Sequence, residues 1–155
     1  TLAFSRQNLP VLDRSTLAPA SGVRQGGYTL WESSSSPEVI IIATGSEVHI
    51  ALDAGQQLSE GGTAARVVSM PSWELFDGQS QDYKNSVLPP NITAKVSIEA
   101  ASPMGWERYV GLNGRIIGLP HFGASAPAAT LYEKFGLTAQ RVMEEAKSTL
   151  HRVKS

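Results

Sequence analysis

The stretch "VIIIATGSEVHIAL", residues 39–52, has the order of parts of a phosphate-binding unit: a β-favouring apolar run, a glycine-containing loop and a helical pattern. The dinucleotide fingerprint needs three glycines, and the nucleoside-triphosphate loop needs a G-K-[ST] ending, but this loop has only Gly45. Glu47, in the first helical turn, complements the helix dipole and would repel a phosphate. Two interpretations remain: a strand-helix turn with Ser46 as N-cap, or a general anion site.

A second glycine loop, "FGASAP" at residues 122–127, precedes another helical pattern in which Ser125 would be the N-cap. Free N–H groups at such a helix start can bind an anion or can simply be capped. Gly45, Ser46, Gly123 and Ser125 are therefore candidate anion-binding residues, and capping alone is the alternative.

Two titratable residues follow predicted strands, where ligands gather in open α/β sheets. His121 has no serine or carboxylate partner that the sequence identifies, so a structural histidine is favoured over a catalytic one. Glu99 is either a buried acid with a shifted pKa or part of the sheet's rim, and the rim is favoured. Trp73 and Trp106 open predicted short helices, which favours packing or a subunit interface over stacking on a ligand.

Arg6, in "SRQNLP", stands among polar neighbours just after a short strand-like start. A guanidinium presents paired N–H donors that match the oxygens of a phosphate or carboxylate. From the residues alone, Arg6 is either an anion-binding residue or an ordinary surface arginine.

The composition excludes several kinds of partner. The 155 residues carry a net charge of −1, with both signs interspersed, which argues against nucleic acid. The chain has no cysteine, and its three histidines are far apart in sequence, so neither a disulfide framework nor a metal site is predicted. No apolar run is long enough to span a bilayer, so no membrane contact is predicted either.

Strand and helix patterns alternate four times along the chain, which predicts a three-layer α/β/α sandwich with a five-stranded, mostly parallel mixed sheet. "GYTLWES", residues 27–33, alternates apolar and polar side chains and is followed closely by "EVIIIATG". This arrangement predicts a hairpin-like entry and hence one antiparallel edge strand. The buried strands that follow are "TAARVVSMP", "AKVSIEA" and "GRIIGLP", and two helices end the chain, the second with Thr138 as its N-cap.

Several blocks of the sequence closely resemble the carboxy-terminal part of the transketolase family. They are "SRQNLP", "GGY", "ATGSEV", "ARVVSMPSWELFDGQS", "SIEA", "GWERYVG" and "LYEKFGLT", in the family's order along residues 1–150. The resemblance implies that residues 1–26 are the end of the middle, pyrimidine-binding domain plus a linker. It implies that residues 27–155 are the C-terminal domain, which serves packing and dimer contacts.

Transketolases are homodimers of the pentose phosphate pathway and the Calvin cycle that use thiamine diphosphate and a divalent metal, Mg or Ca. They move a two-carbon ketol unit between sugar phosphates. Within this chain the resemblance assigns one functional residue, Arg6, which would bind the phosphate group of the sugar. The family's diphosphate-and-metal motif, its activating glutamate and its catalytic histidines match no stretch here, so no catalytic residue and no bound cofactor are expected.

The chain begins at "TLAF" without an initiator methionine, which suggests a piece of a longer polypeptide. We therefore expect a transketolase fragment that is inactive by itself and whose parent is cytoplasmic, with a plastid location left open. The alternative is a regulatory anion- or nucleotide-binding or interaction module of a thiamine-dependent enzyme.

Overall fold

A computed structural model describes Ser5 and residues 7–154 of the protein. The strands are β1 (Tyr28–Glu32), β2 (Val39–Ala43), β3 (Ala65–Ser69), β4 (Lys95–Ile98) and β5 (Arg115–Ile117). The helices are α1 (Val48–Glu60), α2 (Trp73–Asp77), α3 (Gln81–Val87), α4 (Glu107–Val110), α5 (Ala128–Lys134) and α6 (Ala139–Lys154). Two short 3-10 helices, Ala20–Gln25 and Gly45–Glu47, precede β1 and α1.

The five strands form one sheet in the order β1-β3-β2-β4-β5. β3, β2, β4 and β5 are parallel, and β1 runs antiparallel at the edge. The predicted three-layer α/β/α class, with its one antiparallel edge strand, is confirmed. The predicted hairpin is wrong, because β1 pairs with β3 and not with β2. The crossover through α1 returns β3 parallel to β2 and places it between the first two strands.

β2 is the centre of the sheet because neither of its faces needs a polar side chain. All five residues of "VIIIA" are fully buried, which is the expected state of a parallel strand covered by helices on both sides. Ile41 faces the core that contains α1 and α6, whereas Ile40 and Ile42 face the core that contains α2 and α4. Burying one such side chain contributes about 2 to 3 kcal/mol of transfer free energy.

The helix over β2 and β3 is amphipathic in the sense that its buried residues recur every three or four positions. In α1 these are Ala51, Ala54 and Leu58, all at most 1% exposed. Gly55 lies on the same face, where an added Cβ would stand 2.7 Å from a methyl of Val67. A small residue is therefore needed there for α1 to approach the sheet closely.

The starts of the helices differ from the sequence prediction at two of three places. Thr138 caps α6 as predicted, because its hydroxyl accepts the Arg141 N–H at 3.2 Å. The predicted N-cap roles of Ser46 and Ser125 are wrong. A 3-10 turn leads into α1 and the Ser46 hydroxyl donates to Glu47, while α5 begins later than expected, after Pro127 and without a side-chain cap. Pro127 precedes α5 with a φ of −54° and a ψ of 139° and makes no side-chain capping bond.

Candidate functional site

The carboxyl ends of β2 and β4 lie side by side, with Ala43 in register with Ile98. From β2 the chain crosses to β3 on one side of it and later returns to β4 on the other side. This is the point at which the strand order reverses, and open α/β sheets bind ligands in the crevice outside such strand ends.

The turn after β2 depends on a glycine. Gly45 has a φ of +57°, in the left-handed region, and an added Cβ there would meet nothing within 4 Å. Its role is therefore backbone conformation and not close packing. The 3-10 turn Gly45–Glu47 that follows brings the third residue of the turn within hydrogen-bond distance of the backbone after β4.

That third residue, Glu47, is only 3% exposed, and it places its carboxylate at these strand ends. One oxygen, Oε2, accepts the Ala100 N–H at 2.9 Å. The other, Oε1, accepts the Ser46 hydroxyl at 2.7 Å and also the Tyr132 hydroxyl. Three donors on one buried carboxylate compensate for much of its lost hydration. The crevice at the reversal point is thus occupied by the chain's own acid.

Tyr132, on α5, connects this acid to the amino-terminal segment. Its hydroxyl accepts the Gln7 Nε2–H at 2.9 Å, and it also lies 3.0 Å from the Ser46 hydroxyl oxygen. A phenol has a single proton to donate, and Glu47 is the strongest acceptor in reach. Burial first, and then the bond to Glu47, raise the pKa of the Tyr132 phenol, although the hydrogen bonds with Ser46 and Gln7 lower it. The phenol therefore remains protonated near neutral pH and serves as a donor.

A cleft of about 330 Å³ lies beside this network, between residues 7–9 and the helices α1 and α5. Its walls include Leu9, Ile50 and Leu137, and none of its described lining residues is a lysine or arginine. Phosphate sites normally offer cationic or backbone N–H donors. Among the described walls of this cleft, His49 is the only side chain that can carry a positive charge.

The predicted anion-site residues fall into two groups. Gly45 and Ser46 lie at the reversal point, whereas Gly123 and Ser125 lie in the exposed loop between β5 and α5. Among the hydrogen bonds of the described residues, none joins one pair to the other. Their anion role stays a prediction, and so does that of Arg6, which lies outside the described residues.

The remaining candidates from the sequence are His121, Glu99 and the two tryptophans, and each makes packing or hydrogen-bond contacts within the domain. The His121 ring is exposed, stands edge-on to Phe135 with ring centroids 5.0 Å apart, and has Nδ1 2.8 Å from the Phe122 carbonyl oxygen. Glu99 accepts the indole N–H of Trp106 at 2.8 Å, and Trp106 in turn packs against Trp73. The rim role of Glu99 and the packing role of both tryptophans agree with these contacts.

Within Ser5 and residues 7–154, no three histidine or acidic side chains are grouped so that they could hold a metal ion. In the same part of the chain, no helix combines the length and apolar character that a membrane span requires.

Sequence reasoning noticed Glu47 only as an obstacle to phosphate and missed it as the centre of a network. It did not single out Tyr132, and it treated Gln7 only as a polar neighbour of Arg6. Both residues lie within the blocks that carry the resemblance, "LYEKFGLT" and "SRQNLP", which was the one available signal. Their contact joins positions 125 residues apart, and no local pattern encodes a contact of that kind.

The comparison with known families decides the classification. The model of the family described as "Transketolase-like TK C-terminal domain" matches residues 26–138. The chain belongs to the transketolase family. It is 52% identical over 149 residues to the chloroplastic transketolase of Spinacia oleracea, covering 95% of this chain and 20% of that protein. It is 45% identical over 148 residues to the transketolase of Staphylococcus aureus strain MW2, and the match covers 96% of this chain and 22% of that protein.

Solved transketolases show the same fold. The transketolase of Pichia stipitis in complex with sedoheptulose 7-phosphate superposes with a TM-score of 0.85 at 40% identity, covering 96% of this chain and 21% of that one. The predicted family and its C-terminal-domain fold are thereby confirmed. The chain spans about a fifth of the length of these transketolase relatives.

Proposed function

We propose that this chain is the carboxy-terminal part of an enzyme that moves a two-carbon ketol unit between sugar phosphates with thiamine diphosphate and a divalent metal. The observation that carries the proposal is similarity to curated transketolases along 95% of the chain. Residues 27–155 would act as the C-terminal domain of a homodimer, and residues 1–26 as the end of the middle domain and a linker. The cofactor and the metal would be bound by other parts of the enzyme, since the family's diphosphate-and-metal motif matches no stretch of this chain.

Within this chain, Arg6 would bind the phosphate group of the sugar substrate. A guanidinium can donate two parallel hydrogen bonds to phosphate oxygens and so fix the end of the substrate that does not react. Fixing that end positions the reacting carbonyl and contributes binding energy remote from the chemistry. The relative from Pichia stipitis, solved with sedoheptulose 7-phosphate, supports a sugar phosphate as the substrate class.

The test is an Arg6→Ala variant of the full-length enzyme that contains this segment. Because charge-assisted hydrogen bonds are worth about 1.5 to 3 kcal/mol each, we expect KM for xylulose 5-phosphate to rise about 10- to 100-fold. KM for unphosphorylated xylulose should change little, since it lacks the group that Arg6 would bind. Steady-state kinetics with both donors measures the difference.

A matched control is Arg24→Ala, which removes an exposed arginine from the 3-10 helix Ala20–Gln25. It should leave both KM values unchanged. Equal changes for the two donors in Arg6→Ala would contradict the phosphate role. The alternative role of this domain, as a regulatory anion- or nucleotide-binding module at Gly45, Ser46, Gly123 and Ser125, stays a prediction that none of the contacts described above favours.

A further inference from the structure

The amino-terminal segment that contains Arg6 is attached to the domain at one polar point. Over Ser5 and residues 7–12, the part of this segment that the structure describes, the bond from Gln7 Nε2 to the Tyr132 hydroxyl is the only hydrogen bond. Leu12 adds an apolar contact with the core further along the segment. Gln7 follows Arg6 directly in the sequence.

The acceptor of that bond is itself held firmly. Tyr132 donates its phenol proton to Glu47, which is buried and is bonded to the backbone N–H of Ala100 after β4. A chain of hydrogen bonds therefore leads from the sheet's reversal point to the residue beside Arg6. Hydrogen bonds in such a chain polarise one another, which strengthens each of them.

We infer that Tyr132 and Glu47 are positioning residues for the sugar phosphate, because they fix the backbone beside Arg6 through the Gln7 side chain. This inference rests on the proposed function of Arg6. It gives the C-terminal domain a direct part in substrate recognition, in addition to packing and dimer contacts. In this role, the Glu47 carboxylate at the reversal point holds Tyr132, and Tyr132 holds the segment that would bind the ligand.

The decisive variants are Tyr132→Phe and Gln7→Met in the full-length enzyme. Each removes the bond while keeping the size of the side chain, and the loss of one such bond corresponds to about a fivefold change in an equilibrium. We expect KM for xylulose 5-phosphate to rise about fivefold in each variant. We expect kcat, and KM for unphosphorylated xylulose, to stay unchanged. The double variant should be no worse than either single one, because both changes remove the same contact.

Tyr83→Phe is the matched control. Tyr83 is also half-buried, and its hydroxyl donates to the Gly27 carbonyl oxygen at 2.9 Å, but it packs against the opposite face of the sheet. This variant tests the general cost of losing a tyrosine hydroxyl and should not change the ratio of the two KM values. Melting temperatures of all variants show whether a loss of stability accompanies the kinetic change.

The outcomes separate the two proposals. In one outcome, Arg6→Ala raises KM only for the phosphorylated donor, whereas Tyr132→Phe and Gln7→Met change both KM values equally or change neither. That result would contradict this inference but would leave the proposed function standing. An unselective Arg6→Ala would overturn the proposed function, and this inference with it. Should Tyr132→Phe fail to fold, Gln7→Met decides, because Gln7 lies in the segment and outside the buried core.

Discussion

At the scale of single residues, Glu47 is the side chain that joins the segments at the carboxyl edge of the sheet through hydrogen bonds. It is the only acid among the described residues that the core buries, and its two oxygens accept hydrogen bonds from three different parts of the chain. Burial of a carboxylate is favourable only while its donors are present. The donors depend on the carboxylate in the same way, because they are partly buried and need an acceptor for their hydrogen bonds.

This argument predicts the effect of Glu47→Ala on stability. The substitution leaves the Ala100 N–H and the Tyr132 hydroxyl without their acceptor, so the free energy of unfolding should fall by about 2 to 3 kcal/mol. Urea unfolding of the 155-residue chain measures the change. Glu60→Ala is the control, because Glu60 is exposed at the end of α1 and should change stability by less than about 0.5 kcal/mol. Equal losses in the two variants would contradict the role assigned to the network.

At the scale of elements, the two carboxy-terminal helices begin by different means. α6 begins with a side-chain cap from Thr138, and α5 begins after Pro127 without one. α5 has no fully buried residue, whereas α6 buries Val142, Ala146 and Thr149 against the sheet. The position of α5 is therefore determined more by contacts such as that of Tyr132 than by a buried apolar face.

The difference in capping predicts different sensitivities. Thr138→Ala should lower the free energy of unfolding by about 1 kcal/mol, because it removes the acceptor of an otherwise unpaired helix N–H. Ser125→Ala should be close to neutral, since Ser125 lies in an exposed loop before the helix starts. Paired urea titrations compare the two variants. A larger fall in the free energy of unfolding for Ser125→Ala than for Thr138→Ala would contradict this expectation. It would support Ser125 as the N-cap of α5.

At the scale of the whole molecule, the two faces of the sheet have different roles. One face carries the aromatic cluster of Trp73, Phe76, Trp106 and Tyr109, which is a packing arrangement. The other face and the carboxyl edge meet the amino-terminal segment and its Gln7–Tyr132 contact. This arrangement agrees with the proposed function, in which the domain would hold the segment that contains Arg6.

This division predicts the behaviour of the chain by itself. Supplied with thiamine diphosphate and Mg²⁺, the 155 residues should not transfer a ketol unit from xylulose 5-phosphate to an aldose phosphate acceptor. The reason for this expectation is that the family's diphosphate-and-metal motif and its catalytic histidines match no stretch of these residues. Chromatographic analysis of the sugar products tests this. Turnover that depends on added thiamine diphosphate would contradict the proposed division of roles.

The local sequence was enough to determine the layers and most of the elements. Continuous apolar runs such as "VIIIA" predicted buried parallel strands, because a strand with no polar face must be covered on both sides. Thr138 caps α6 as predicted, because capping chemistry depends on neighbours within a few residues. The motif blocks determined the family for the same reason, since they are contiguous stretches.

Only the tertiary structure decided which elements are neighbours and what occupies the carboxyl edge. β1 pairs with β3 because the crossover through α1 places that strand beside it, and no pattern within "GYTLWES" encodes this. The loop "ATGSEV" had the local form of an anion site, yet its Glu47 is bound by Tyr132 and Ala100 from distant parts of the chain. Contacts of this kind depend on how strands are ordered in the sheet, and that order arises only when the whole chain packs.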